Sequence, residues 1–320
     1  FASFQAHYCP VNMAQIAQSV DRCPDAPSLV LLLMTRLWPA ANGAYGWIRL
    51  GFLSFQPSEL AKFAMILLFA RLTRNFGRRA REFRYGVLGF GLALLGILVP
   101  LALEKHLSAI MLMGMVAVVM MFVAGTHPKW LLAGAGVAVL FVLVYITFMG
   151  YAGDRVTAWL HPEKDPGDTG YQILQSLYAI GSGGVFGLGF GKSRQKYLYL
   201  PFQYNDYIFA IICEELGLFG AIGIMVLFVL LIWRFILAAG NAVDLYGDLI
   251  VTGVITHISV QVILNIAVVT NTIPNTGVTL PFISYGGSSL FFLLAEIGMV
   301  MSVARKSSKV QAEYLRQHPE

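Results

Sequence analysis

The sequence predicts an all-α polytopic membrane protein, a bundle of helices that cross a lipid bilayer. Its composition is 57% hydrophobic and only 12% charged, whereas a soluble domain carries about 25% charged residues. Apolar segments close to the ~20 residues that a spanning helix needs recur along the chain. A helix suits the bilayer because it satisfies its own backbone hydrogen bonds.

The spanning segments are preceded by an atypical N-terminus. Residues 1–27 are polar and aperiodic, and 28–38 is too short to cross the bilayer and is interrupted by Arg36. We therefore expect 1–41 to be a fragment or the stub of an earlier span, and 306–320 to be a cytoplasmic tail. The predicted spans are 57–72, 86–103, 107–125, 130–150, 207–237, 249–271 and 287–304.

The basic residues predict the orientation of these spans. Arginines crowd the loop after the first span, and loops rich in Lys and Arg stay in the cytoplasm. Alternating sides from there places the long segment 151–206 outside, as the one large extracytoplasmic loop, and 305–309 inside. The net charge of +5 thus reflects membrane topology, and we exclude nucleic acid as a partner. The arginines of the first loop are Arg71, Arg74, Arg78, Arg79, Arg81 and Arg84.

Cysteines and glycines exclude two other classes of site. Cys9, Cys23 and Cys213 form neither a disulfide framework nor a metal-spaced cluster. The glycines of 181–191 do not form a nucleotide fingerprint, because a phosphate-binding glycine loop follows a strand and opens a helix. These glycines are expected to permit turns and close backbone approach.

Glu59 and Lys62 lie near the start of the first predicted span. Pro57 suits the first helical position and Glu59 complements the helix dipole, so the segment can be a simple helix start. However, Lys62 follows three residues later on the same face, and ionisable residues at this depth usually pair and line a functional interior. Both interpretations stay open, and we take Glu59 and Lys62 as candidate substrate-binding residues.

Four cations mark the large extracytoplasmic loop: Arg155, Lys192, Arg194 and Lys196. They could simply contact the headgroups of membrane lipids. Alternatively, they could capture a phosphorylated, lipid-linked substrate, because Arg and Lys neutralise phosphate oxygens.

Asp206 lies where this loop re-enters the bilayer. It precedes an apolar helix, so it could be an N-cap, a position that Asp fills well. An acid at the lip of a membrane cavity can also act as a general base. The sequence leaves both roles open.

A second extracytoplasmic segment, PNTGVTLPFISYGGSS over 274–289, is interrupted by Gly and Pro. Broken backbone at membrane depth is tolerated only where protein or a water-filled cavity satisfies it. We expect a structured re-entrant segment rather than a surface turn.

Four segments in order resemble one known family, the SEDS proteins, which include FtsW, RodA and SpoVE. The resemblance covers about residues 42–305, and the text around 191–201 is closer to the FtsW/SpoVE branch. Family members have ten spans, and residues 1–41 do not resemble the first of these, so about seven or eight helices are expected here. The four segments are NGAYGWIRLGFLSFQPSELAKF, GSGGVFGLGFGKSRQKYLYLP, NDYIFAIICEELGLFG and NTGVTLPFISYGGSSL.

The resemblance implies a peptidoglycan glycosyltransferase of cell division or sporulation. Such an enzyme polymerises lipid II at the outer face of the bacterial cytoplasmic membrane, beside a class B penicillin-binding transpeptidase. The family's essential loop aspartate falls on Asp206, its QPSE motif on residues 56–59, and its PFxSYGG motif on 281–287. Ser284 and Tyr285 of the last motif are therefore further candidate substrate-binding residues.

The implied chemistry needs no nucleotide, because the lipid diphosphate is already activated. Loop cations would stabilise the leaving diphosphate, with a divalent cation such as Mg²⁺ or Mn²⁺ as an option and no metal ligand identified. Two other functions stay open. A bundle with intramembrane charges could flip lipid II between leaflets, and a non-catalytic scaffold of the division machinery would not need Asp206.

Overall fold

The structure, a computed structural model, describes residues 48–50, 53–104, 106–136, 158–164, 169–197, 199–201 and 203–317. Arg155, the N-terminal segment 1–41 and most of the predicted span 130–150 lie outside these residues, although 128–136 is helical.

The described part is a helical membrane protein. Each predicted span that it covers is a helix whose ends differ from the prediction by a few residues, except that the last helix continues through most of the predicted tail. The helices are α1 (Pro57–Phe76), α2 (Phe90–Leu103), α3 (Leu107–Val123), α4 (Thr169–Gly183), α5 (Ile208–Gly240), α6 (Leu245–Val269) and α7 (Gly287–Gln317).

Four helices in the described residues are long and apolar enough to cross a membrane. One of these combines α2 with the π-helical turn Phe83–Gly89 before it. The 17 residues of α3 are apolar but shorter than a full span. The four spans are Phe83–Leu103, Ile208–Gly240, Leu245–Val269 and Gly287–Gln311.

A small β-hairpin departs from the all-α prediction. Strand β1 (Ile48–Leu50) pairs antiparallel with β2 (Leu53–Phe55), with Ile48 opposite Phe55. The Phe55 ring packs against Phe292 of α7, with 6.0 Å between centroids. Strands of three residues are too short to show a period-2 pattern, so the sequence did not predict them. The hairpin leads directly into α1.

Helix α6 is the centre of the bundle. It contacts α1, α3, α4, α5 and α7, and it is the most buried of the four spans. A Cβ on Gly253 would lie 2.6 Å from Cγ2 of Ile66 and 3.1 Å from Sδ of Met120, so this glycine lets α6 approach α1 and α3 closely. Small residues commonly permit such contacts between membrane helices.

The outer faces of α2 and α5 are apolar and exposed. Leu92, Leu227 and Val229 each expose more than 60% of their surface. In a bilayer these side chains contact lipid acyl chains, which removes the cost of leaving them in water.

Thiol labelling tests the predicted orientation. In a cysteine-free background, a Phe190→Cys variant should react from outside the cell with a membrane-impermeant maleimide, because Phe190 is 87% exposed and belongs to the predicted extracytoplasmic loop. Glu82→Cys, in the arginine-rich loop, should react only after the cells are opened. The reverse labelling pattern would contradict the orientation.

Candidate active site

Two segments distant in sequence meet at the start of α5. The turn at 203–206 lies against the segment between α6 and α7. The backbone N–H of Tyr285 donates to the Tyr204 carbonyl at 2.8 Å, and the Ser284 hydroxyl donates to the Asn205 carbonyl at 2.6 Å. The structure thus brings together three predicted site residues, Asp206, Ser284 and Tyr285.

Asn265 of α6 holds the same two segments from below. Its Nδ2 donates to the carbonyls of Asp206 and Val278, both at 2.7 Å, and the residue is fully buried. One helix turn away, Gln261 Nε2 donates to the Thr279 carbonyl at 3.0 Å. Burial makes these hydrogen bonds costly to lose, because the carbonyls would have no water to replace the donor.

Asp206 itself lies outside the helix. Helix α5 begins at Ile208 and its N-cap position is Tyr207, which weighs against the N-cap role for Asp206. The carboxylate is half-buried and lies beside Gly277, where a Cβ would be 3.5 Å from Asp206 Oδ2. The side chain therefore borders the segment that carries Ser284 and the exposed Tyr285.

A break in α5 anchors the glycine-rich loop beside this turn. Gly217 has φ +65° and ψ −163°, which interrupts the helix. The carbonyls of Glu214 and Glu215 therefore accept from the N–H groups of Leu188 and Gly189, at 2.9 and 3.0 Å. In an unbroken helix these carbonyls would accept from residues 218 and 219.

The other half of this exchange uses the freed donors. The N–H groups of Leu218 and Phe219 donate to the carbonyls of Gly184 and Val185, at 3.0 and 3.3 Å. Four backbone groups released by the break are thus all paired with the loop, as backbone at the edge of a membrane requires.

The side chains of Glu214 and Glu215 hold the next part of the loop. Both are buried. Glu214 accepts from the backbone N–H of residues 194 and 195, at 2.9 and 3.3 Å, and from the Ser193 hydroxyl. Glu215 accepts from the backbone N–H of residues 191 and 193, at 2.9 and 3.2 Å. Successive N–H groups converging on a carboxylate are a favourable environment for its charge.

The predicted loop cations fall into two groups. Lys196 Nζ pairs with Glu215 Oε1 at 2.8 Å and donates to the Gly191 carbonyl at 2.6 Å. The hydrogen bond to Glu215 raises the pKa of Lys196. Lys192 and Arg194 are exposed, with no acidic partner among the described residues, so they are available for an anion.

Glu59 and Lys62 form an ion pair inside the bundle. Their charged atoms are 2.8 Å apart, and both residues are more than nine-tenths buried. Pro57 also occupies the first turn of α1, as the helix-start interpretation expects. The buried pair shows that Glu59 does more than complement the helix dipole. Lys62 is its direct partner.

A second buried pair, which the sequence analysis missed, lies on neighbouring helices. His257 Nδ1 of α6 is 2.9 Å from Glu296 Oε2 of α7, and His257 is within electrostatic range of Glu59. His257 belongs to a face with Gln261 and Asn265, spaced every four residues within an apolar span. That spacing was the available signal, since polar residues in a span usually face the bundle interior.

Comparisons with known proteins identify relatives along most of the chain. The profile of the family described as cell cycle protein, FtsW/RodA/SpoVE, matches residues 14–309, so the match begins before residue 42. Stage V sporulation protein E of Bacillus subtilis (strain 168) is 42% identical over 289 residues, 87% of this chain and 76% of that protein. The probable peptidoglycan glycosyltransferase FtsW of Geobacter sulfurreducens (strain DL-1 / KN400) is 38% identical over 279 residues, 87% of this chain and 74% of that protein.

The fold also matches a solved structure. A chain of a peptidoglycan synthase complex, studied for its coordination of polymerization and crosslinking, superposes with a TM-score of 0.77 at 30% identity. The superposition covers 92% of this chain and 83% of that chain.

Gly187 provides a test of the loop anchorage. Its φ is +76° and a Cβ would lie 2.1 Å from the Glu215 carbonyl oxygen, so Gly187→Ala should lower the free energy of unfolding by about 2 kcal/mol or more. The matched control is Gly181→Ala in α4, where a Cβ meets no atom within 4 Å; it should stabilise by about 0.4–1 kcal/mol. Thermal unfolding of both purified variants measures the difference, and equal stability would contradict the anchorage.

Proposed function

The chain belongs to the FtsW/RodA/SpoVE family of cell cycle proteins, and from this we infer a peptidoglycan glycosyltransferase of cell division or sporulation. It is a multi-pass protein of the bacterial cytoplasmic membrane. The inference draws on relatives named as probable peptidoglycan glycosyltransferases. We propose further that the bundle retains about seven or eight of the family's ten spans.

We propose that the substrate is lipid II, a lipid-linked disaccharide that carries a diphosphate. Support comes from the position of the candidate active site on the side that the arginine-rich loop assigns to the cell exterior. The 4-hydroxyl of one lipid II sugar attacks the anomeric carbon of a growing chain. A glycosidic bond forms, the bond from that carbon to the diphosphate oxygen breaks, and the polyprenyl diphosphate leaves.

In this proposal Asp206 is the catalytic base. Its carboxylate takes the proton of the attacking hydroxyl, and its charge favours the approach of that hydroxyl. The observation that carries the assignment is the hydrogen-bonded clamp around it. Asn265 binds its carbonyl and Ser284 binds that of the preceding residue, so the backbone is held in place before substrate arrives. Catalytic groups act efficiently when their position is fixed in this way.

Lys192 and Arg194 are proposed to bind the leaving diphosphate, because both are exposed on the anchored loop. Cations placed where negative charge develops stabilise the transition state. Lys196 acts as a positioning residue, since it is paired with Glu215. Arg155 and a divalent cation, Mg²⁺ or Mn²⁺, stay further proposals for the same charge. No group of three or more His, Cys, Asp or Glu in the described residues is spaced to hold a metal.

The interior residues Glu59 and Lys62, with Tyr285 at the surface, are proposed to line the path of the substrate. We also propose that the chain works beside a class B penicillin-binding transpeptidase. Support for the partner is the similarity to a chain of a peptidoglycan synthase complex.

The buried ion pairs keep one alternative function in view. Intramembrane charges at Glu59, Lys62, His257 and Glu296 are also a feature of transporters, and a lipid II flippase would use them. Reconstituted vesicles separate the two, because a polymerase forms glycan strands whereas a flippase only moves labelled lipid between leaflets.

Asp206→Asn tests the catalytic assignment. Asn has nearly the same shape but cannot accept the proton, so the rate of lipid II polymerisation should fall about 10²- to 10⁴-fold. Polymerisation would be measured with the partner transpeptidase present. Asp244→Asn, at an exposed residue paired with Lys306 at 3.3 Å, is the matched control and should keep its activity.

A folded Asp206→Asn variant that polymerises lipid II at a normal rate would rule out the base and leave the scaffold function. Normal binding of lipid II with lost polymerisation supports the base, because the substitution then affects the reaction and not the fold.

The two groups of loop cations should respond differently to neutralisation. Lys192→Gln and Arg194→Gln should each lower kcat/KM about 10-fold or more with unchanged thermal stability, because each removes a charge-assisted contact to phosphate. Lys196→Gln should lower both kcat/KM and the unfolding temperature, since it leaves Glu215 without its cation. Equal stability losses in all three variants would contradict the division of roles.

A further inference from the structure

A second charged site lies on the opposite side of the bundle. A cleft of about 740 Å³ opens between the end of α1, the end of α3 and the start of α6. Arg78 and Arg81 line it on one side, and Val123 and Leu245 line it on the other. No step of the proposed polymerisation uses these residues.

The cleft is kept open by two glycines on its rim. Gly77 has φ +50° and Gly125 has φ +88°, and at neither position would a Cβ meet any atom within 4 Å. Both glycines line the cleft. The helices α1 and α3 therefore end without side chains that would fill the space.

The arginines of this loop are not equivalent. Arg74 stacks over Tyr246 and Arg79 stacks over Tyr85, each at 5.8 Å from the ring centroid. Arg78 and Arg81 are exposed to the cleft, and neither has a carboxylate partner in the part of the chain that the structure describes. Two guanidinium groups facing one cleft form a suitable site for phosphate oxygens.

The depth of the cleft indicates where the phosphate comes from. Three helix ends surround it, so it lies at the boundary between acyl chains and water. Val123 is 45% exposed and Leu245 is 55% exposed, which continues the lipid-facing surface into the cleft. One wall thus suits a hydrocarbon chain and the other suits an anionic headgroup, an arrangement typical of lipid sites between membrane helices.

We propose that this cleft binds the phosphate-bearing headgroup of a lipid in the cytoplasmic leaflet. The phosphate lies between Arg78 and Arg81, and the first part of the hydrocarbon chain lies along Val123 and Leu245. The lipid is either an anionic phospholipid or a polyprenyl phosphate, because both present the same charged group on an apolar chain. The site is independent of the proposed polymerisation and rests on the cleft geometry and the arginine-rich loop.

Native mass spectrometry of the purified full chain tests the site. The protein in detergent is titrated with phosphatidylglycerol, with a polyprenyl phosphate, and with diacylglycerol as a lipid without phosphate. The variant Arg78→Gln with Arg81→Gln is compared with a charge-matched control, Arg79→Gln with Arg84→Gln, which changes the same loop outside the cleft lining. The cleft variant should bind the phosphorylated lipid about 10- to 30-fold more weakly than the control.

A third variant keeps the charges and fills the space. Val123→Trp places a large ring in the cleft and should weaken binding of the same lipid, with both arginines intact. Preference for phosphatidylglycerol would assign the site to bulk phospholipid, and preference for the polyprenyl phosphate would assign it to the lipid carrier.

Three outcomes would overturn the proposal. Equal weakening in the two double variants would show that only the net charge of the loop matters. Equal binding of diacylglycerol would show that phosphate is not recognised. Loss of a bound cytoplasmic protein from the cleft variant, with lipid binding unchanged, would assign the cleft to a protein partner.

Discussion

The break in α5 at Gly217 is the constraint on which the outer half of the structure depends. A helix that stops bonding to itself at the membrane edge must pair its released backbone groups elsewhere, or lose several kcal/mol (roughly 1–3 for each group). The glycine-rich loop supplies all four partners. This exchange fixes the loop against α5 and places Glu214 and Glu215 under residues 191–196, where they bind its N–H groups.

One face of α6 connects the interior to the candidate active site. His257, Gln261 and Asn265 follow each other every helix turn. The first pairs with Glu296 deep in the bundle, and the last holds the carbonyl of Asp206 near its end. Because α6 contacts five other helices, its position is determined by packing on nearly every side. The catalytic turn thus inherits the rigidity of the most buried span.

Charged residues on this protein divide by whether another residue already holds them. Lys196 is engaged by Glu215 and contributes order to the loop. Lys192 and Arg194 on one side of the membrane, and Arg78 and Arg81 on the other, are exposed without carboxylate partners in the described residues. Exposed side chains of this kind cost little to solvate and can exchange water for phosphate, which makes them the better candidates for contact with lipid-linked anions.

The sequence by itself determined which segments are helical and which motifs belong to the site. Spanning length and hydropathy are local properties, because each segment must satisfy its own backbone in lipid. Tertiary structure alone decided the roles of Asn265 and Lys196 and the pairing of the Asp206 turn with Ser284. Those contacts join residues 59 and 79 positions apart in the two clamps, and they form only when packing brings the helices together. Local hydropathy carries no information about which polar groups then meet.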